Sequence, residues 1–137
     1  MMKVLLVEGQ KDTRRLFEQI LVSRGHTVTV CSDGETAWAA YERDPYPLVL
    51  TDWGLADSTI DGLQLCWKIR AHVRGSRSII LMTTAQDTPE NLMAIRKAGA
   101  NDYLGKSMSL ECLKMRLLIA EQWAIAESAA MDAAPGS

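Results

Sequence analysis

Four short apolar runs in this chain each end at a side chain that can take part in chemistry. The runs cover residues 4–7, 48–51, 79–83 and 103–105, and the residues that follow them are Glu8, Asp52, Thr84 and Lys106. In an open sheet of parallel strands, the carboxyl ends of the strands share one edge, where ligands bind. Two carboxylates, a hydroxyl and an ammonium group at that edge suit phosphoryl transfer to Asp52, with Mg²⁺ between the acids.

The elements that must position these side chains alternate between short strand-like runs and longer stretches of helical period. Residues 27–31 add a further β-branched run between the first two helical stretches. This alternation predicts repeated βα units and a single α/β domain with a five-stranded parallel sheet.

Residues typical of helix ends delimit the helical stretches. The first stretch covers residues 12–23 and is ended by Gly25. Thr88 and Pro89 begin the fourth helix, because threonine can cap free amides and proline needs no amide donor there. The other predicted start residues are Asp33 for the second helix, Gly62 for the third and Ser109 for the last.

The last helix is predicted to run past the end of an ordinary core. Leu113, Leu117 and Ala120 repeat at helical spacing and continue toward Trp123. We therefore divide the chain into a domain at residues 1–122 and a helical extension with a disordered tail at residues 123–137. The segment after Ala120 is expected to serve as a linker or a dimer contact.

Length and composition limit the class of protein. A chain of 137 residues supports one domain, and a net charge of -2 with scattered basic residues argues against direct nucleic-acid binding. Cys31, Cys66 and Cys112 show no spacing typical of zinc sites or disulfide frameworks. No apolar run approaches the roughly 18 residues of a membrane span, and we expect a cytoplasmic protein without a membrane segment.

The chain resembles the receiver domains of bacterial two-component response regulators over roughly residues 2–122. The resemblance rests on the acidic end of the first strand, the Asp52 strand, Asp61-Gly62 before the third helix, and Thr84-Ala85. It also rests on the stretch Ala-Gly-Ala-Asn-Asp-Tyr-Leu-Gly-Lys at residues 98–106. It implies a flavodoxin-like, doubly wound receiver fold with strand order 2-1-3-4-5.

The resemblance also implies roles for single residues. Asp52 is then the phospho-acceptor, Lys106 the lysine that pairs with the phosphoryl group, and Thr84 and Tyr103 the switch pair. Glu8, Asp52 and the backbone carbonyl of Gly54 are the expected Mg²⁺ ligands. The implied partners are a histidine kinase or histidine phosphotransfer protein and a downstream protein or fused output domain, with a homodimer as a further expectation. The domain itself is expected to be a switch that at most catalyses its own phosphorylation and dephosphorylation.

Three features depart from the family pattern. Gly9 stands where a second acid normally follows the first, so a Mg²⁺ ligand is missing. Neither Asp12 nor Asp57 lies at a family position that could replace it. The loop between Asp52 and Asp61 is two residues longer than usual. Ser107 follows Lys106 in place of a proline, which predicts a trans peptide bond there.

Two functional hypotheses remain open after these observations. The leading one is an atypical receiver phosphorylated on Asp52. The alternative is a pseudo-receiver that is never phosphorylated and acts as an interaction or dimerisation module, which Gly9 and Ser107 favour. A small-ligand binding protein of the same architecture is disfavoured, because no glycine-rich phosphate loop follows the first strand.

Overall fold

Strands and helices alternate along the described part of the chain, as the sequence pattern predicts. The computed structural model describes residues 2–133. A short 3₁₀ turn at Gly75–Arg77 precedes the fourth strand. The elements in chain order are β1 (Lys3–Val7), α1 (Lys11–Ser23), β2 (Thr27–Cys31), α2 (Gly34–Arg43), β3 (Leu48–Asp52), α3 (Gly62–Ala71), β4 (Ile79–Thr84), α4 (Pro89–Ala98), β5 (Asp102–Gly105) and α5 (Leu110–Ala133).

All neighbouring strands are parallel, and the sheet order is β2-β1-β3-β4-β5. The predicted flavodoxin-like strand order is therefore confirmed. The register pairs Asp52 with Thr83 and Thr84 with Gly105. As a result, Glu8, Asp52, Thr84 and Lys106, which lie at or directly after the ends of β1, β3, β4 and β5, are found at one edge of the sheet.

Both faces of the sheet are covered by helices, because the strand side chains are apolar on each side. Val4 and Leu6 of β1 pack with the apolar residues of α1 and α5. Leu5 and Val7 of the same strand pack with those of α2, α3 and α4. A strand that is buried on both faces reads as a continuous apolar run, which explains the sequence of β1, β3 and β4.

Side-chain caps fix the start of four helices. The Thr88 hydroxyl accepts the Asn91 N–H at 3.2 Å, and the Ser109 hydroxyl accepts the Cys112 N–H at 3.2 Å, which confirms both predicted caps. Asp33 caps α2 by accepting the Thr36 N–H. Asp61 and Gln64 form a reciprocal capping box at the start of α3, so the side chains before α2 and α3 are held at the site edge.

Helix α5 packs against the domain beyond the predicted boundary at residue 122. Ala124 is 1% exposed and belongs to the core, and Glu121 is buried. The expectation that the segment after Ala120 is only a linker or a dimer contact was too narrow, because small alanine side chains let the helix lie close to the sheet. The predicted tail begins at Ala129, but residues 129–133 belong to α5. Residues 134–137 lie outside the described residues.

No helix within residues 2–133 is long and apolar enough to cross a membrane. The described chain holds no cis peptide bond, and the bond between Lys106 and Ser107 is trans as predicted.

Candidate functional site

The side chains of Glu8, Asp52 and Lys106 converge at the carboxyl edge of the sheet. The Lys106 Nζ lies 3.0 Å from the Asp52 Oδ2 and 3.5 Å from the Glu8 Oε1. Glu8 is 1% exposed and Asp52 is 7% exposed, so the two carboxylates are shielded from solvent. The ammonium group thus serves as the shared counter-ion of both acids.

The backbone after β1 fixes the orientation of Glu8. The Gln10 N–H donates to the Glu8 Oε2 at 3.0 Å, and the Arg14 guanidinium donates to the carbonyls of Glu8 and Gly9. The Glu8 Oε1 has no hydrogen-bond partner in the described chain. Burial raises the pKa of the Glu8 carboxyl and the Asp52 carboxylate adds to the rise, whereas the Gln10 N–H and the Lys106 ammonium oppose it.

A hydroxyl group that the sequence interpretation overlooked contacts Asp52. The Thr83 Oγ1 donates to the Asp52 Oδ1 at 3.2 Å, and both side chains are buried. Thr83 and Asp52 are direct cross-strand partners, so their side chains lie on the same face of the sheet. The sequence contains one indication of this contact, because β4 ends in two threonines. The sequence interpretation gave a role to the second of them alone.

The two predicted switch residues lie apart from this ion pair. The Thr84 hydroxyl donates to the Gln86 carbonyl at 2.9 Å and accepts the Gln86 N–H at 3.2 Å, which ties it to the loop after β4. Tyr103 is half-buried, and the Arg116 guanidinium lies 4.8 Å from the centre of its ring. In this conformation neither side chain contacts the Asp52 carboxylate through a hydrogen bond.

The longer loop between β3 and α3 is tied to helix α2. The Glu35 Oε1 accepts the N–H groups of Thr59 and Ile60 at 2.6 and 2.8 Å and the Thr59 hydroxyl at 2.7 Å. The side-chain bonds from Thr59 and Ser58, with the backbone donors, lower the pKa of Glu35 to about 2. The sequence did not indicate this role for Glu35, because the contact spans more than 20 residues.

A cleft of about 830 Å³ opens at this edge of the sheet. Its lining includes the predicted site residues Asp52, Gly54, Thr84 and Lys106, together with Gly9. Asp57 also lines the cleft, with a φ of 60° that asparagine and aspartate tolerate better than most residues. The cleft can therefore admit a ligand directly onto the Asp52 carboxylate.

The carboxylate oxygens of Glu8 and Asp52 suit Mg²⁺, but the site offers the ion few protein ligands. Within residues 2–133, no group of three or more Asp, Glu, His or Cys side chains is placed to hold a metal ion, so neither Asp12 nor Asp57 completes such a group with Glu8 and Asp52 in this conformation. Protein-bound Mg²⁺ commonly uses one or two carboxylates and keeps several waters. The Oε1 of Glu8 is buried and accepts no hydrogen bond within the described chain, which fits a cation ligand.

Comparison with known proteins identifies the class of domain that this fold and edge cluster define. A family model for the response regulator receiver domain matches residues 4–118. The chain belongs to the response regulator receiver domain family of two-component systems. Members of this family are signalling switches, and in general they are not enzymes.

Two curated relatives illustrate the family. The chain is 37% identical over 118 residues to the response regulator RppA of Synechocystis, covering 85% of this chain and 49% of RppA. It is 29% identical over 117 residues to the chemotaxis protein CheY of Pseudomonas aeruginosa, covering 85% of this chain and 93% of CheY. The chain thus spans about half the length of RppA and nearly the full length of CheY.

Solved structures agree with the fold. The receiver domain of a sensor histidine kinase from Pseudomonas aeruginosa, which has a magnesium ion coordinated in its active-site cleft, superposes with a TM-score of 0.77. It is 31% identical, and the match covers 90% of this chain and 97% of that one. A chemotaxis protein of Vibrio cholerae, CheY4, gives a TM-score of 0.79 at 24% identity over 88% of this chain and 98% of its own, a likeness of fold alone.

Proposed function

We propose that this domain is a phosphorelay switch in which Asp52 accepts a phosphoryl group from a histidine kinase or a histidine phosphotransfer protein. The observation that carries the proposal is the buried Asp52 carboxylate at the base of an open cleft, paired with Lys106 and next to Glu8. Membership of the receiver family supports it. Lysine next to a carboxylate nucleophile can also neutralise an incoming phosphoryl group.

In the proposed transfer, an oxygen of Asp52 forms a bond to phosphorus while the donor's bond to phosphorus breaks and the donor keeps the bonding electrons. Lys106 already lies against the Asp52 Oδ2, so it can pair with the phosphoryl oxygens without moving far. Glu8, Asp52 and the Gly54 carbonyl would hold Mg²⁺, which when bound neutralises phosphoryl charge. The absent acid at Gly9 is expected to weaken this ion's binding.

The proposed output is a change on the face formed by α4, β5 and α5. The hydrogen bonds of the Thr84 hydroxyl within the described chain are those with Gln86, so this hydroxyl can be drawn toward a phosphoryl oxygen. Tyr103 would then turn inward, away from Arg116. Met115, Ile119 and Trp123 are exposed at four-residue spacing on α5. They give this face an apolar row for a downstream protein, a fused output domain or a second copy.

Phosphorylation of Asp52 is tested with a small phosphodonor such as acetyl phosphate in the presence of magnesium. Intact-mass spectrometry should show the gain of one phosphoryl group, and the gain should be lost in base. It should disappear in Asp52→Asn and persist in Asp57→Asn, a matched control that changes another acid lining the same cleft. Label that remains in Asp52→Asn would contradict the assignment.

A pseudo-receiver that is never phosphorylated is the second candidate function. It is favoured by Gly9 and by the position of the Lys106 ammonium, which lies near both carboxylates and offsets part of their charge without a metal ion. This alternative predicts no mass gain in the wild-type protein, and a mass gain there would contradict it. A gain that appears only in a Gly9→Asp variant would show that Gly9 prevents phosphorylation and would support the alternative.

A further inference from the structure

The two oxygens of the Asp52 carboxylate have different hydrogen-bond donors. The Lys106 ammonium donates to Oδ2 at 3.0 Å, and the Thr83 hydroxyl donates to Oδ1 at 3.2 Å. Thr83 is 1% exposed, and Asp52 is the acceptor of its hydroxyl hydrogen. Strand pairing places the two residues directly opposite each other, so the contact is built into the sheet.

Position 83 does not require a hydroxyl for packing. Ile79 and Leu81, the preceding residues on the same face of β4, are buried and apolar. Valine would fill the same space, and a buried hydroxyl costs free energy unless it has a partner. The polar group at Thr83 is therefore explained by Asp52.

We propose that the Thr83 hydroxyl shortens the lifetime of phosphorylated Asp52 by stabilising the carboxylate that leaves when the acyl phosphate is hydrolysed. The inference rests on the proposed function and adds a residue to it. In this step water attacks phosphorus, and the bond between phosphorus and Asp52 breaks. The bonding electrons stay on the carboxylate, inorganic phosphate leaves, and the proton from water passes to phosphate or solvent.

The direction of the effect follows from the charge on Oδ1. In the free carboxylate, Oδ1 carries about half a negative charge, whereas in the acyl phosphate it is a carbonyl or ester oxygen with less charge. A hydroxyl donor binds the more highly charged oxygen more strongly, so it favours the carboxylate and the transition state that leads to it. The direction of the effect is the same whichever oxygen of Asp52 carries the phosphoryl group.

Lys106 does not have the same differential effect. Its ammonium pairs with the carboxylate in the free protein and can pair with phosphoryl oxygens in the phosphorylated one, so it stabilises both states. The Thr83 hydroxyl is buried beside Oδ1, and its contact changes in strength only with the charge of that oxygen. Loss of Thr83 should therefore change the lifetime of the acyl phosphate.

The test measures the half-life of the phosphorylated protein after the acetyl phosphate is removed by rapid desalting. Thr83→Val removes the hydroxyl and keeps the shape, and we expect a half-life about threefold to thirtyfold longer than in wild type. Thr83→Ser keeps the hydroxyl donor, so its half-life should be close to that of wild type. Thr83→Ala lacks the donor and should lengthen the half-life as well, which keeps the test decisive if the valine variant does not fold.

Thr51→Val is the matched control. Thr51 is also buried at the end of a central strand, but its hydroxyl donates to the backbone carbonyl of Asp52 rather than to the carboxylate. Its half-life should equal that of wild type. Equal half-lives of phosphorylated wild type and Thr83→Val would overturn the inference. So would a half-life of Thr83→Ser as long as that of Thr83→Val. Either result would leave the proposed function standing. Absence of label on wild type would overturn both.

Discussion

Glu8, Asp52 and Lys106 together carry one net negative charge when all three are ionised. A second acid after Glu8 would add another negative charge to the same small volume. The empty site would then be more strongly repulsive, and a cation would relieve more unfavourable free energy on binding. We therefore expect Gly9 to make the metal-free site easier to form and to lower the affinity of the site for Mg²⁺.

The first prediction concerns Gly9→Asp, which should bind Mg²⁺ about tenfold or more tightly than wild type. A side chain fits at this position, because a Cβ on Gly9 would meet only the Ser32 carbonyl oxygen at 3.7 Å. The magnitude follows from the roughly 10 to 100-fold losses in affinity seen when even outer partners of a metal are removed. Magnesium titration followed by Trp53 fluorescence measures it, since Trp53 lines the cleft.

Gly9→Asn is the control for this titration, because it adds a side chain of the same size without the charge. Its affinity should stay near that of wild type. If wild type already binds Mg²⁺ as tightly as Gly9→Asp, the missing acid is not what limits binding. Calorimetric titration provides a readout that does not depend on the other tryptophans.

The sequence correctly predicted that Glu8, Asp52 and Lys106 lie close together. Each of these residues follows an apolar run whose length is typical of a strand. Sequence reasoning did not find Thr83. The choice between Thr83 and Thr84 depends on the register between β3 and β4, which pairs Asp52 with Thr83. Such a register is a long-range property that neither strand contains in its own sequence.

At the scale of elements, the start of α3 lies directly on the end of β3. A Cβ on Gly62 would lie 2.1 Å from the Asp52 carbonyl oxygen and 2.8 Å from the Trp53 Cα. The Gly62 N–H also donates to the Trp53 carbonyl at 2.8 Å. Only glycine permits this approach, so it helps to hold the strand end that carries Asp52.

The second prediction is that Gly62→Ala lowers the free energy of unfolding by about 2 to 4 kcal/mol, because both contacts are with backbone that cannot move without displacing β3. Urea denaturation measures the change. Gly54→Ala in the preceding β3–α3 loop is the control, since a Cβ there would meet nothing within 4 Å. A Gly62→Ala variant as stable as Gly54→Ala would show that the helix can shift at little cost.

The elements themselves were largely predictable, because their signals are local. Thr88, Ser109 and Asp33 cap helices where the sequence indicated. The role of Glu35 was not predictable, since its partners on the β3–α3 loop follow from how α2 and that loop meet in space. The packing of α5 past Ala120 was missed for a related reason: alanines at helical spacing do not reveal which face is covered.

Across the whole molecule, a partly buried ion pair connects α5 to the turn between α1 and β2. The Arg24 guanidinium donates to both Glu121 oxygens at 2.6 and 2.7 Å, and His26 Nε2 lies 2.8 Å from the Glu121 Oε2. The Met2 N–H donates to His26 Nδ1 at 3.3 Å, which makes Nε2 the donor to Glu121 in the neutral imidazole. The Glu121 carboxylate thus links the last helix to the turn after α1, and His26 extends this link to Met2, the residue before β1.

The last prediction is that this link makes the stability of the domain fall between about pH 5 and pH 2. The Arg24 hydrogen bond, aided by His26 and opposed by burial, lowers the pKa of Glu121 to about 2 from an ordinary 4.5. Because the folded-state pKa is the lower one, the stabilisation is fully present above the unfolded-state pKa. It is lost as the pH falls through the folded-state pKa, and it is worth at most about 3 kcal/mol.

The measurement compares the urea-derived free energy of unfolding of wild type with that of Glu121→Gln at several pH values. The variant should be less stable at pH 5, and the difference should shrink toward pH 2, since protonated glutamate and glutamine are then both neutral. Glu127→Gln on the same helix is the control. Glu127 pairs with Arg77, but both side chains are 44% exposed, and solvent weakens such ion pairs. A difference between wild type and Glu121→Gln that stays constant from pH 5 to pH 2 would show that the ionisation of Glu121 does not hold α5 in place.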